Sequence, residues 1–431
     1  MSLRRRTVCA GVVLSVLVAA SSWIGAQAPQ GAAQSYNPRP RLQDRTLLYV
    51  GVPMKKQNTD ARIPAGIYVF DVNDGFAFVK RIPTFEYPSW EDPMITDQVI
   101  GVAATPSGKF IMSTFKGLHA FDLITEKWLW TKTYESRFVD GHAVGNGTVD
   151  RFSLSPDGKI AYAPDGYATG NRWHVIDAET GALITEVDTP KTTGGHNTVW
   201  APDGSRVFMA GVLSPYISVA DPKTNKVVQT VGPFGGEDYP LNLRTQRNGG
   251  VRPYTTNGRG TLLFVNVNGL WGFEIGDVAT GKVIHRVEVG TYSAGQPNCE
   301  GLPNHGIAMT PDEKELWLTD DINGSLRVFD ATVMPPKQKG TVLMPRHADS
   351  NFVWPCWVTI GLDGKYVYPS TGDVIDAATK RVVASLRDAA GHYVRSEKMF
   401  EAQWSGGKIV RISDQFGRGM AGVAMKTSTS Q

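Results

Sequence analysis

A turn signal returns through the chain at intervals near fifty residues, and no other feature limits the fold as tightly. It reads "AATPSGKFIMST" around Pro106, "SLSPDGKIAYAP" around Pro156, "VWAPDGSRVFMAG" around Pro202 and "YTTNGRGTLLFVN" around Asn257. It continues as "AMTPDEKELWLTD" around Pro311, "TIGLDGKYVYPS" around Leu362 and a degenerate "AQWSGGKIVRIS" around Ser405. The successive intervals are 50, 46, 55, 54, 51 and 43 residues. Pro-Asp-Gly and Asn-Gly supply the backbone angles of a tight hairpin, and each turn joins two apolar, β-rich runs.

Four of the turns are followed by a second signature: "VIDAETGALITEV", "VADPKTNKVVQTV", "IGDVATGKVIHRV" and "VIDAATKRVVASL". Each reads as a strand ending at Asp, a Thr-containing turn and an outer strand, so one repeat holds four strands. A four-stranded sheet exposes two faces, which only stacked neighbours can bury, so the repeats must close into a ring. The amino-terminal runs "RTLLYVGV", "AGIYVFDV" and "FAFVKRI" supply three strands, and "MFEAQWSGGKIVRIS" near the carboxy terminus supplies the rest of one more repeat. The expectation is an all-β, seven-bladed β-propeller of four-stranded blades over residues 46–415, with one blade shared between the N- and C-termini. Residues 29–45 and 416–431 are then flexible terminal segments.

The repeats "SLSPDGKIAYA…VIDAETGALITEV" and "VWAPDGSRVFMAG…VADPKTNKVVQTV" resemble the bacterial YVTN-type β-propellers, a group related to lactonase-type and haem-d-nitrite-reductase-like propellers. The likeness extends over nearly all the chain beyond residue 28. It implies the fold and a repeat protein of WD40-like architecture. It transfers no catalytic residue, because such propellers serve as lactone hydrolases, electron-transfer subunits, metal-site enzymes and binding modules.

"MSLRRRTVCAGVVLSVLVAASSWIGAQAPQ" has an arginine triplet, an apolar run from Val8 to Ala20 and an Ala-Gln-Ala at 26–28, the pattern of a secretory signal peptide over residues 1–28. The expectation is a soluble protein exported to the periplasm or the extracellular space, since the apolar run is shorter than the ~20 residues that span a bilayer. Loss of these three arginines takes the formal charge from +3 to zero, which argues against nucleic acid or an anionic membrane as partner. Two cysteines remain, Cys299 and Cys356, and an oxidising compartment invites a disulfide between them.

Six residues before each turn stand Ile100, Asp150, His196, Val251, His305, Cys356 and, in the degenerate repeat, Met399. This register should begin the innermost strand of each blade, at the rim where the blades meet the central channel. Asp150, His196, His305 and a Cys356 thiolate could therefore converge on one divalent transition metal, although the disulfide competes for Cys356. The alternative is structural: each histidine hydrogen-bonds a turn or an Asp of its own blade. The connections before the rim are long and rich in functional side chains. Arg244, Arg247 and Arg252 suit a carboxylate or phosphate, or else pair with nearby acids such as Glu237 and Asp238. His142, Glu300 and Trp357 belong to the same face, with His347, His392, Trp90 and Trp354 as further candidates for binding or for loop packing.

No Gly-x-Ser-x-Gly, His-Glu-x-x-His, phosphate loop or Cys-x-x-Cys-His occurs. The reading is a monomeric propeller that binds a small, anionic ligand at the top of its channel, with a metal ion as an open addition. A lactonase-like hydrolase, a metal-dependent oxidoreductase or a protein-interaction module on the same scaffold are the alternatives.

Overall fold

The computed structural model describes residues 44–52, 63–84, 99–114, 117–134, 149–166, 170–240, 249–291, 302–347 and 354–423, and the backbone alone of 137–139 and 142–144. Six four-stranded antiparallel sheets follow one another in the chain, each with its strands in sequence order. They are blade 1 (101–132), blade 2 (153–188), blade 3 (195–231), blade 4 (251–288), blade 5 (307–343) and blade 6 (358–385). Blade 7 is shared between the ends of the chain, with strand order Ala77–Pro83, Gly66–Asp71, Arg45–Val52, Met399–Ser405, Lys408–Ile412. It has five strands where four were expected, because the chain turns back after Ser405 and pairs again through Ala402↔Ile412 and Ser405↔Lys408. The two ends are joined by six antiparallel partners from Arg45↔Trp404 to Val50↔Met399.

Each strand of the repeat is apolar on both faces because both faces meet a neighbouring sheet. In blade 3, Phe208 and Ala210 pack toward blade 4 while Val207 and Met209, the alternate residues of the same strand, pack toward blade 2. Seven apolar clusters result, one in each interface between neighbouring blades. The first strands of the blades touch one another in sequence around a closed circle. The outermost strands alternate between half-buried and exposed residues, as in Lys226–Val231. Burial therefore falls from the axis outward.

The repeated Asp-x-x-Thr turn explains itself locally. Thr180 donates from both its backbone N–H (2.8 Å) and its hydroxyl (2.9 Å) to Asp177 Oδ1, and Thr379 makes the same pair to Asp376 at 2.8 Å each. The next residue must be left-handed, which Gly181 (φ 70°) satisfies without strain and Lys380 (φ 59°) adopts at a cost of about 1 kcal/mol.

Beyond Ile412 the chain runs across the lower half of the channel. Thr359 Oγ1 donates to the Asp414 carbonyl (2.9 Å), Trp357 Nε1 to that of Gln415 (2.7 Å), and both Met309 N and Thr255 Oγ1 to that of Gly417 (2.7 Å). Arg418 Nη1 donates to the Trp200 carbonyl (2.6 Å), and Gly419 N to that of Thr256 (2.9 Å). Residues 414–419 thus touch blades 3, 4, 5 and 6, and Gln415 Oε1 accepts from Val102 N of blade 1 at 3.2 Å. Gly417 has φ 57°, and a Cβ there would stand 2.6 Å from the Ala308 side chain, so only glycine fits. Residues 416–423, read from the sequence as part of a flexible tail, are held in place: Phe416 is buried, and Val423 N donates to the Met420 carbonyl at 3.2 Å.

No helix among the described residues is long and apolar enough to cross a membrane. Residues 1–28 lie outside the described residues.

One buried histidine ties stability to pH. His119, inside blade 1 between Thr114 Oγ1 (2.9 Å) and Thr131 Oγ1 (3.1 Å), has its pKa pushed down from 6.5 to about 4 by burial. Its neutral form is the folded form, so its contribution is complete above pH 6.5 and is lost as the pH falls toward 4. The loss should reach about 3 kcal/mol. In urea unfolding measured between pH 7.5 and 4.5, His119→Gln should flatten the pH dependence relative to the parent protein.

Candidate functional site

The rim register inferred from the repeat does converge. Asp150 precedes the first strand of blade 2, His196 opens Gly195–Trp200 of blade 3, and His305 lies just before Ile307–Met309 of blade 5. The carboxylate of Asp150 accepts from His196 Nδ1, and the rings of His196 and His305 are 6.5 Å apart between centroids. All three side chains are buried. The ring of each histidine bonds to a neighbouring blade, while His305 N donates to Thr319 Oγ1 of its own blade at 2.9 Å. His196 reaches from blade 3 to blade 2, and His305 Nδ1 donates to the Cys356 carbonyl of blade 6 at 3.2 Å.

The partner on the other side of His196 is Arg151. Because Nδ1–H is given to Asp150, Nε2 carries the lone pair, and it accepts from Arg151 Nη1 at 3.1 Å. Arg151 Nη2 donates to Glu397 Oε2 (2.8 Å), which also receives Lys398 Nζ (2.5 Å). A continuous chain from Asp150 through His196, Arg151 and Glu397 to Lys398 thus links blades 2, 3 and 7. The guanidinium of Arg151 lies over the indole of Trp357 at 4.8 Å and Lys398 Nζ over the same ring at 5.5 Å. His305 meets that indole edge-on at 6.0 Å, and Phe416 from the C-terminal segment packs against it at 5.9 Å. Trp357 is therefore the floor of the upper channel.

This geometry does not support His196, His305 and Asp150 as metal ligands. A cation already stands at the Nε2 lone pair that a metal would need, and it is the guanidinium of Arg151. Among the described residues no group of three or more His, Cys, Asp or Glu side chains is arranged to hold a metal ion. The staple expected between Cys299 and Cys356 reaches beyond the described residues. No Sγ–Sγ bond joins two described residues, and Cys299 lies outside them. What connects blades 5 and 6 at this point is the Cys356 backbone through His305.

Of the ligand-binding candidates, Arg252 and Trp357 belong to this rim. Arg252 is buried at the start of Val251–Thr256, with Nε 3.4 Å from Asn268 Oδ1. Arg244, Arg247 and Glu300 lie outside the described residues, as does Trp90, and for His142 the backbone alone is described, in a short hairpin. His347 stands apart, 2.9 Å from the buried Asp373, which also accepts from Tyr393 at 2.5 Å. His392 pairs with Asp388 at the exposed surface.

Sequence reasoning missed Arg151, Glu397, Lys398 and Gln415. The first was within reach: one position beyond the rim register stand Gly101, Arg151, Asn197, Arg252, Gly306, Trp357 and Phe400, and Arg252 and Trp357 were singled out without following the row around the ring. Arg151, Arg252 and Lys398 are gathered at this rim with the carboxylates of Asp150 and Glu397. Removing one partner of a buried ionic chain leaves the others uncompensated, so Asp150→Ala should cost about 3–5 kcal/mol in urea unfolding. A loss below 1 kcal/mol would mean that Asp150 does not hold His196 and Arg151 in place.

No family model matches the sequence, and no curated protein matches it. Solved structures do. The chain is similar to the β-propeller domain of Cps50 (Swd1) from Myceliophteria thermophila, at 13% identity and a TM-score of 0.50 over 73% of this chain and 96% of that one. It is similar to a chain of the Mitotic Checkpoint Complex at 12% identity and a TM-score of 0.50, over 82% and 95% of the two chains. A chain of Kuenenia stuttgartiensis Hydrazine Synthase matches at 14% identity with a TM-score of 0.49. At such identities the likeness of the first two concerns architecture alone, and it agrees with the seven sheets: the chain is a seven-bladed β-propeller.

Proposed function

We propose that this protein binds a small oxyanion, a carboxylate in the first place, in the upper half of its channel. The observation that carries the reading is the convergence of Arg151, Arg252 and Lys398, with His196 and His305, around the Trp357 floor. Planar guanidiniums suit a planar carboxylate, and an indole floor suits an apolar ligand body. Export through residues 1–28 belongs to the same reading and places the site outside the cytoplasm.

A ligand that binds only the folded state raises the melting temperature by mass action, by about 2.7 kcal/mol of stability at a hundredfold excess over Kd. Purified protein titrated with acetate, succinate and inorganic phosphate should show a concentration-dependent rise for at least one of them, and Arg252→Gln should abolish it. Absence of any shift in the parent protein would overturn the reading.

A second reading rests on one observation, the buried Asp150 carboxylate on His196 Nδ1, which leaves Nε2 as the basic nitrogen. That arrangement is the oriented imidazole of a general base. It becomes competent once a ligand draws Arg151 off Nε2. Turnover of simple lactones or aryl esters that disappears in His196→Gln would establish hydrolysis; equal background rates for both proteins would leave binding alone.

A further inference from the structure

Gln415 arrives at the channel axis on the C-terminal segment, and its three polar groups fare differently. Its carbonyl accepts from Trp357 Nε1 at 2.7 Å and its Oε1 from Val102 N at 3.2 Å. Its Nε2 amide is buried and has no hydrogen-bond partner among the described residues. Beside it is Gly101 of blade 1, in the row where the flanking blades carry Arg151 and Phe400. A Cβ at Gly101 would lie 3.5 Å from Gln415 Nε2, 3.2 Å from Arg151 Cα and 2.8 Å from Ser113 Oγ. The backbone of Gly101 is not left-handed, so what the glycine provides is space. Ser113 Oγ is likewise buried without a partner among the described residues. Two orphaned polar groups thus face one side-chain-free position next to the backbone of Arg151.

We propose that Gln415 is the deepest ligand-contacting residue of the channel site, donating from Nε2 to an oxygen of the bound molecule, with Ser113 Oγ beside it. This rests on the oxyanion reading and sharpens it. The rim cations take one carboxylate, and a second acceptor oxygen on the same molecule reaches Gln415, so the ligand class is a short dicarboxylate or hydroxycarboxylate. An unmet buried amide costs about 1–3 kcal/mol, and a ligand oxygen that supplies its acceptor recovers that penalty as affinity. The C-terminal segment that closes the channel from below is on this account part of the binding site.

Calorimetric titration of the full chain with succinate and with acetate tests the assignment. Gln415→Glu keeps the acceptor for Val102 N and turns the donor into an oxygen; Gln415→Met keeps the length and loses both. Each should bind succinate about 10- to 100-fold more weakly than the parent. Gln415→Met should bind acetate as the parent does. If both variants bind succinate like the parent while Arg252→Gln does not, Gln415 makes no contact and the rim reading survives. If Gln415→Met weakens acetate and succinate equally, the residue acts only by supporting Trp357, and the proposal fails. If neither anion binds the parent protein, the oxyanion reading and this inference fall together.

Discussion

Everything in this molecule depends on sheets that are apolar on both faces and can be buried only by one another. A single blade would place a row such as Phe208 and Ala210 in water on one side and Val207 and Met209 on the other. Each interface between blades therefore contributes its own apolar cluster, and the ring must close because an open arc leaves two of these faces bare. Closure falls to blade 7, where Arg45–Val52 pairs with Met399–Ser405. Backbone hydrogen bonds between residues some 350 positions apart do there what a turn does elsewhere. The C-terminal segment adds a second closure, drawing the inner strands of blades 3 to 6 onto a common peptide below Trp357.

Closure also determines the chemistry at the axis. Inner strands start at a common rim, so residues separated by about one repeat in sequence become neighbours across the channel. Asp150, His196 and Arg151 illustrate the consequence: the histidine takes its tautomer from the acid on one blade and presents its lone pair to an arginine on that same blade. Glu397 and Lys398 extend the chain into blade 7. A low-dielectric surround makes each link stronger than it would be at the surface and makes any missing link more costly. The indole of Trp357, wedged between the cations above and Phe416 below, couples that network to the C-terminal segment.

The ring, its number of blades and the sharing of one blade were legible because turn chemistry and strand alternation are local properties that repeat. The rim register was legible for the same reason, since counting back six residues from each turn reached Asp150, His196 and His305, and these do converge. What the three residues do there was not legible. The metal reading treated Arg151 as a bystander, although it stands one position away and occupies the His196 lone pair. Nor was it legible that the backbone of Cys356 serves His305. The path of residues 413–423 had no counterpart in any other repeat, and so no pattern announced it.

By itself the sequence determined the repeat, the two-faced strands, the hairpin turns and the positions that begin each inner strand, because these follow from backbone angles and from side chains a few residues apart. The tertiary structure alone decided which rim residues meet, which nitrogen of His196 faces an acid and which a guanidinium, and that Gln415 and Phe416 lie beneath the site. Those outcomes depend on how far each inner strand reaches toward the axis and on where the chain goes after its last repeat. Distances of that kind are set by the packing of all seven interfaces together, and no single stretch of sequence contains them.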